Sequence, residues 1–394
     1  MKPDDLVHRA RGLVTVLRKR AEATDRDRRI LSETMKDLHE AGLFRALQPA
    51  RYGGLECGLD TFVRVVDEIG RGCGATAWVY SVLAMHQWHI GMFPEQAQND
   101  VWKTTPDALA SSSYRPSGGV EAVEGGYKLS GTWGFASGCD NTQWTIMGGK
   151  IEPGNGGAPL HQCFFLVPRA DYKIEDNWHV LGLSGTGSKN LVIEEAFVPV
   201  HRVLTVAQAG SGAPPGAAVN PGFLFRIPFL AAVQLCLCSP LLGMAQGALD
   251  HYIEALRTWT TKGTFSGPRL NLAELPTIQL RTAEAAASID AARLLLLRVC
   301  SDTQAAMVPN AKLTPALRIR NRRDHAFAVR LLVRAVDQLY ESVGTNGLFD
   351  DNPIQREWRN VHAGAMHITN NWDAAGTLYG RFALGLEPGG SSLW

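Results

Sequence analysis

The sequence predicts an α+β protein in three parts: an amino-terminal helical domain (1–107), a central β-barrel domain (108–207) and a carboxy-terminal four-helix bundle (208–394). Three observations lead there. Apolar residues recur at helical spacing as far as about Phe93, short alternating runs cut by glycines fill Ala108 to Val203, and long helical stretches follow.

In the first part Leu31, Met35, Leu38 and Leu43, then Phe62, Val65, Val66 and Ile69, mark one face of successive helices. Pro49 and Tyr52-Gly53-Gly54 interrupt them, because glycine supplies the positive backbone angles of a turn. In the second part Tyr127–Ser130, Trp144–Met147 and Cys163–Val167 are expected strands, with a hairpin turn at Gly125-Gly126 and further glycines at 148–149 and 154–157. A loop rich in glycine, alanine and proline (210–222) leads to expected helices over Ala231–Trp259, Leu275–Thr303, Pro315–Val343 and Pro353–Tyr379, lengths suited to an antiparallel bundle. The apolar run from Ile227 to Leu249 is broken by Pro228, Gln234, Pro240 and Gln246, so it reads as a buried helix and not a membrane span. Gly389-Gly390-Ser391-Ser392 reads as a short flexible tail.

A chain of 394 residues that is 45% hydrophobic can bury a large core. With 39 basic and 38 acidic side chains it has no overall field to draw nucleic acid or an anionic membrane. Seven cysteines, an odd number without paired spacing, point to a reducing compartment, hence the cytoplasm. Met1 to Arg20 carries charges throughout and lacks the apolar segment of a signal peptide.

Several chemistries are set aside by their motifs. Gly185-Thr186-Gly187-Ser188-Lys189-Asn190 has asparagine where a dinucleotide fingerprint needs its third glycine, and no phosphate loop is present. No histidine has a glutamate three residues before it, as a di-iron bundle requires, and His86 and His89 have no carboxylate or cysteine cluster to complete a metal site. No serine stands in a nucleophile elbow. Chemistry carried by an organic cofactor remains.

Three segments then resemble the acyl-CoA dehydrogenase superfamily: Leu38 to Leu43 with Pro49 and Tyr52 to Leu55; Leu129 to Gly138; and Leu181 to Ser188 running on to Phe197-Val198-Pro199. Ser342 to Gly347, followed by Pro353 and Arg356-Glu357-Trp358-Arg359-Asn360, is similar to the glycine turn and helix with which that family approaches a neighbouring subunit's flavin. Where the dehydrogenases carry a catalytic glutamate, this chain reads Met366-His367-Ile368-Thr369. The base for α-proton removal is thereby replaced by an imidazole. Ser111 to Tyr114, Phe135 to Asp140 and Met366 to Asp373 resemble the oxygenase components of two-component phenol hydroxylases, of the 4-hydroxyphenylacetate and secosteroid type.

The resemblance implies a reduced-flavin-dependent monooxygenase that hydroxylates a phenolic or indolic ring through a C4a-hydroperoxyflavin. Reduced FMN or FAD would come from a separate NAD(P)H-dependent flavin reductase, with O2 as co-substrate, no metal, and a homotetrameric assembly. His367 and Ser137 are the expected catalytic residues, His367 hydrogen-bonding the substrate and accepting its proton, Ser137 donating near flavin N5. Trp133, Phe135, Ala136, Ser137, Thr186, Ser188, Arg257 and Asn346 are expected at the flavin, with Phe265 and Gln279 near its distal end. His86, His89, Ser112, Tyr114 and Asn371 are expected at the substrate, and Cys139 is expected to be a small buried residue. The alternatives are an acyl-CoA dehydrogenase or oxidase with another base, an N- or S-oxygenating flavin enzyme, and a flavin-fold scaffold without chemistry.

Overall fold

A computed structural model describes residues 2–152, 161–260, 269–307 and 313–387. Phe265, the glycines at 154–157 and the tail at 389–392 lie outside the described residues. Helices α1 (Pro3–Asp27), α2 (Ser32–Glu40), α3 (Leu59–Gly72), α4 (Gly74–Ile90) and α5 (Glu95–Trp102) come first. Every residue of α4 is buried, as expected of a helix apolar on all sides and set between the other layers.

Eight strands follow: β1 (Ala110–Ser113), β2 (Gly119–Val123), β3 (Gly126–Ala136), β4 (Trp144–Ile151), β5 (His161–Pro168), β6 (Lys173–Glu175), β7 (Lys189–Pro199) and β8 (Val203–Thr205). They form two four-stranded sheets, β1-β4-β5-β8 and β2-β3-β7-β6, packed face to face in the central β domain. Leu129, Trp133, Phe165, Ile193 and Val198 fill the space between them. The β2–β3 hairpin turns at Gly125, whose φ of 77° is the left-handed conformation glycine tolerates.

Helices α6 (Val206–Gly210), α7 (Phe229–Ala232), α8 (Leu235–Leu256), α9 (Pro276–Ala305), α10 (Pro315–Val343), α11 (Pro353–Ala365) and α12 (Trp372–Ala383) complete the chain. The stretch Phe229–Leu256 is long and apolar enough to cross a membrane, yet most of its apolar length is buried inside the protein. It docks on α3 at a glycine pair: a Cβ on Gly70 would lie 2.7 Å from the Gly243 Cα. The last expected helix is not continuous. It breaks after Ala365 because His367 caps a one-turn 3-10 segment (Ile368–Asn370), and Asn371 then caps α12 by accepting from the Ala374 amide at 2.8 Å. The break places His367 at a helix junction.

Candidate active site

Helix α4 is the common wall. Trp78 and His89 are eleven residues apart, which returns them to nearly the same helical face, about 16 Å apart along the axis. Each end of that face meets a different set of partners.

At the Trp78 end, the strand β3 finishes irregularly. Its pairing with β7 shifts register between Trp133 and Ala136, and Phe135 has φ 64°. The irregularity breaks the alternation that put Trp133 and Phe135 on one face. Trp133 is fully buried between the sheets, its indole N–H donating to the Gly148 carbonyl at 2.8 Å, so it is a core residue and not a flavin wall. Phe135 is 73% exposed, with Trp178 edge-on at 5.8 Å and the exposed Leu181 on the neighbouring loop. Ala136 is buried in the sheet interior beneath them.

Beside this exposed ring lies a buried string of hydroxyls. Ser137 Oγ is 2.7 Å from Ser188 Oγ, which is 2.7 Å from Thr186 Oγ1, which is 2.7 Å from the Leu183 carbonyl. Trp78 Nε1–H donates to Ser137 Oγ at 3.2 Å. A carbonyl only accepts, so Thr186 donates to Leu183, Ser188 to Thr186 and Ser137 to Ser188. The expected donor role of Ser137 is therefore corrected, since its single proton is already committed.

The turn that carries Thr186 is held from α11. The Asn360 side-chain oxygen accepts from the Leu183 amide at 2.7 Å, and its nitrogen donates to Glu357, a carboxyl pushed up to about 7 by burial. A Cβ on Gly364 would be 3.0 Å from the Trp78 ring, and the His367 amide donates to the Gly364 carbonyl at 3.2 Å. Ser137 and the His367 junction thus flank opposite edges of one indole. His367 Nδ1 accepts from the Thr369 amide at 3.3 Å and lies 2.9 Å from the Thr369 hydroxyl. Since an amide can only donate, Nδ1 is unprotonated and the ring proton is on Nε2. Burial lowers the pKa of His367 and keeps it neutral.

At the other end of α4 the rings gather. His89 contacts Tyr114, Phe164 and Phe229 at 5.4, 4.6 and 4.4 Å between centroids, and its Nδ1 is 2.9 Å from the Tyr114 hydroxyl. His89 Nε2 is buried without a partner. His86 Nδ1 donates to the Ala110 carbonyl at 2.6 Å, which leaves Nε2 as an acceptor, and burial drives its pKa down to about 4. The Ser112 hydroxyl lies by the Tyr114 phenol, whose own pKa burial raises.

Three expected site residues are placed elsewhere. Asn371 is exposed and its oxygen is spent on the α12 cap; Asn370, which follows His367 by three residues, is the buried one and donates to Leu237 and Gly364. Arg257 is exposed at the far end of α8, roughly 24 Å along the helix from Leu241. Asn346 follows α10, and the hydrogen bond between Arg281 and Ser342 puts that turn at the same remote end, where Gln279 is also exposed. None of the three reaches the Ser137 site of its own chain. Cys139 is fully buried, with its thiol pushed up to about 12 by burial. Sequence reasoning missed Trp78, Phe164, Phe229 and Thr369; the α4 face shared with His89 was the one signal that could have found Trp78.

Residues 6–104 match the family described as acyl-CoA dehydrogenase, N-terminal domain, and residues 235–372 match acyl-CoA dehydrogenase, C-terminal domain. The chain is 43% identical to the FADH(2)-dependent resorcinol hydroxylase, oxygenase component, of Rhizobium sp. (strain MTP-10005), over 98% of this chain and 95% of that protein. It is similar in structure to 3-HSA hydroxylase from Rhodococcus sp. RHA1, at 36% identity and TM-score 0.92, covering 99% of both chains. XiaF from Streptomyces sp., solved in complex with FADH2 and glycerol, matches at TM-score 0.89 and 28% identity over 99% of this chain and 97% of that one.

Proposed function

The chain belongs to the acyl-CoA dehydrogenase family, among its flavin-dependent monooxygenase oxygenase components, and from that premise we propose that it hydroxylates a small phenolic ring. The observation that carries the reading is the pairing of an exposed, left-handed Phe135 beside Ser137 with an imidazole at His367 where a dehydrogenating base would stand. A non-glycine residue held at positive φ with an exposed ring costs conformational energy that its own packing does not offset. A flat ring system held against Phe135, with Trp178 and Ser137 beside it, would offset it. The donor set therefore fits a flavin, and reduced FAD is the form named for the relatives.

When bound, reduced flavin activates O2 and supplies one oxygen atom to the substrate. The residues of this chain do the rest. Tyr114, Phe164 and Phe229, packed around His89, form an aromatic wall against which a substrate ring would be screened from water. His367 Nε2–H donates to the phenolic oxygen, and His86 Nε2 is oriented to accept. A phenol ionises near ~10 and neutral imidazole near ~6.5, so ionisation rests on the hydrogen bond that His367 Nε2–H donates to the phenolate, with His86 Nε2 taking up the phenol proton. The negative charge in turn counters the burial that depresses both imidazoles.

A separate NAD(P)H-dependent reductase is the expected source of reduced flavin, supported by the words "oxygenase component" in the relative's name and by the lack of a dinucleotide motif. A homotetramer is supported by the exposed Leu280 and Leu294 on α9, and a cytoplasmic location by seven free, buried cysteines. The test is anaerobic titration with 4-nitrophenol, whose ionised form is coloured. Bound phenol should ionise at lower pH than free phenol, and His367→Ala should reverse that shift by on the order of one pH unit, the scale of one charge-assisted hydrogen bond. Equal ionisation of bound and free phenol contradicts the reading.

A further inference from the structure

Each hydroxyl in the string at Ser137 has one proton, and all three are assigned. The Thr186 proton lies toward the Leu183 carbonyl, because two oxygens 2.7 Å apart with none between them would repel. Trp178 Nε1 donates to that same carbonyl at 3.1 Å and the Thr186 amide also at 3.1 Å, so the end of the string is an acceptor on every contact. Ser188 then has only its lone pairs to offer Ser137, and Ser137 donates. Trp78 fills one lone pair on Ser137. What Ser137 has left for any further partner is a single lone pair.

We infer that Thr186 and Ser188 are positioning residues that fix Ser137 as a hydrogen-bond acceptor and so make the site discriminate reduced from oxidised flavin. The inference rests on the reading that Ser137 faces flavin N5. Reduced flavin carries a proton on N5 and can donate to that lone pair; oxidised flavin presents a lone pair there, and two acceptors face each other. Ser137 alone would not discriminate, since a free serine hydroxyl rotates to suit either partner. The discrimination is built by the string behind it, whose members are buried: Thr186 is 1% and Ser188 4% exposed.

The measurement is the dissociation constant of the whole protein for oxidised and for anaerobically reduced FAD, read by ultrafiltration without substrate or oxygen. In Thr186→Val the Ser188 and Ser137 protons are released to turn. The preference for reduced over oxidised FAD should then shrink by about tenfold, the value of one hydrogen bond exchanged for a repulsion, chiefly through tighter binding of the oxidised form. Ser188→Ala should act alike, and Thr186→Ser, which keeps the hydroxyl, should restore the preference. If Thr186→Val and Ser188→Ala weaken both forms by the same factor, the string is structural and the inference is overturned. Failure of the unaltered protein to bind either form overturns the flavin reading itself, and the inference with it.

Discussion

His86 shows how a single side chain ties pH to the site. Its neutral form is the one built in: Nδ1 donates to the Ala110 carbonyl, and burial holds the pKa at about 4 against an ordinary 6.5. As pH falls below 6.5 the unfolded chain takes up this proton before the folded one does, so the folded state loses stability between 6.5 and about 4. Thermal unfolding followed across that window should show a shallower acid slope in His86→Asn than in the unaltered protein. Ser137 and His367 stand out as candidates because their neighbours in sequence match a family pattern. The direction of their hydrogen bonds is not legible there. It is set at Ser137 by a carbonyl at Leu183, and at His367 by the amide of Thr369, and neither proton has a signature in sequence. Trp133 and Phe135 were assigned together for a related reason: alternation assumes an unbroken strand, and the bulge between Trp133 and Ala136 cannot be seen without the partner strand β7.

Among the elements, α4 and α11 do most to shape the site. The helical spacing of α3 and the turn at Gly125 were readable from local pattern, as were the starts of the long helices, where Pro276, Pro315 and Pro353 each stand in the first turn. The break between α11 and α12 was hidden, since the apolar period continues through it and the cap is supplied by His367 and Asn371 side chains. α11 also holds the hydroxyl turn from outside. Asn360 supplies the partner of a buried Leu183 amide, and Gly182 is close enough to Arg359 that an added Cβ would lie 2.2 Å from its carbonyl oxygen. Replacing Asn360 by Ala leaves that amide unsatisfied and should cost about 1–3 kcal/mol in denaturant unfolding, with weaker flavin retention as the turn loosens. An Asn360→Asp variant keeps the acceptor oxygen but sets a second carboxyl beside Glu357, so it should recover retention only at pH low enough for the two to share a proton. Equal stability in Asn360→Ala would mean that the turn is held by β7 and α4 alone.

The whole molecule places two chemically different clusters at the two ends of one buried helix. Exposed rings, a proton-directed serine and the His367 imidazole stand at the Trp78 end, clustered aromatics with the His86 and His89 imidazoles at the other. Such a division suits a reaction in which a cofactor and a substrate ring must meet without water. The most direct measurement mixes the protein, loaded anaerobically with chemically reduced FAD and no reductase, with 18O2 and resorcinol, and follows the aromatic product by mass. A ring product gaining one 18O atom, with its yield lost in His367→Ala, is the expected result. Recovery of all reducing equivalents as hydrogen peroxide, with resorcinol and other simple phenols unchanged, would contradict the account.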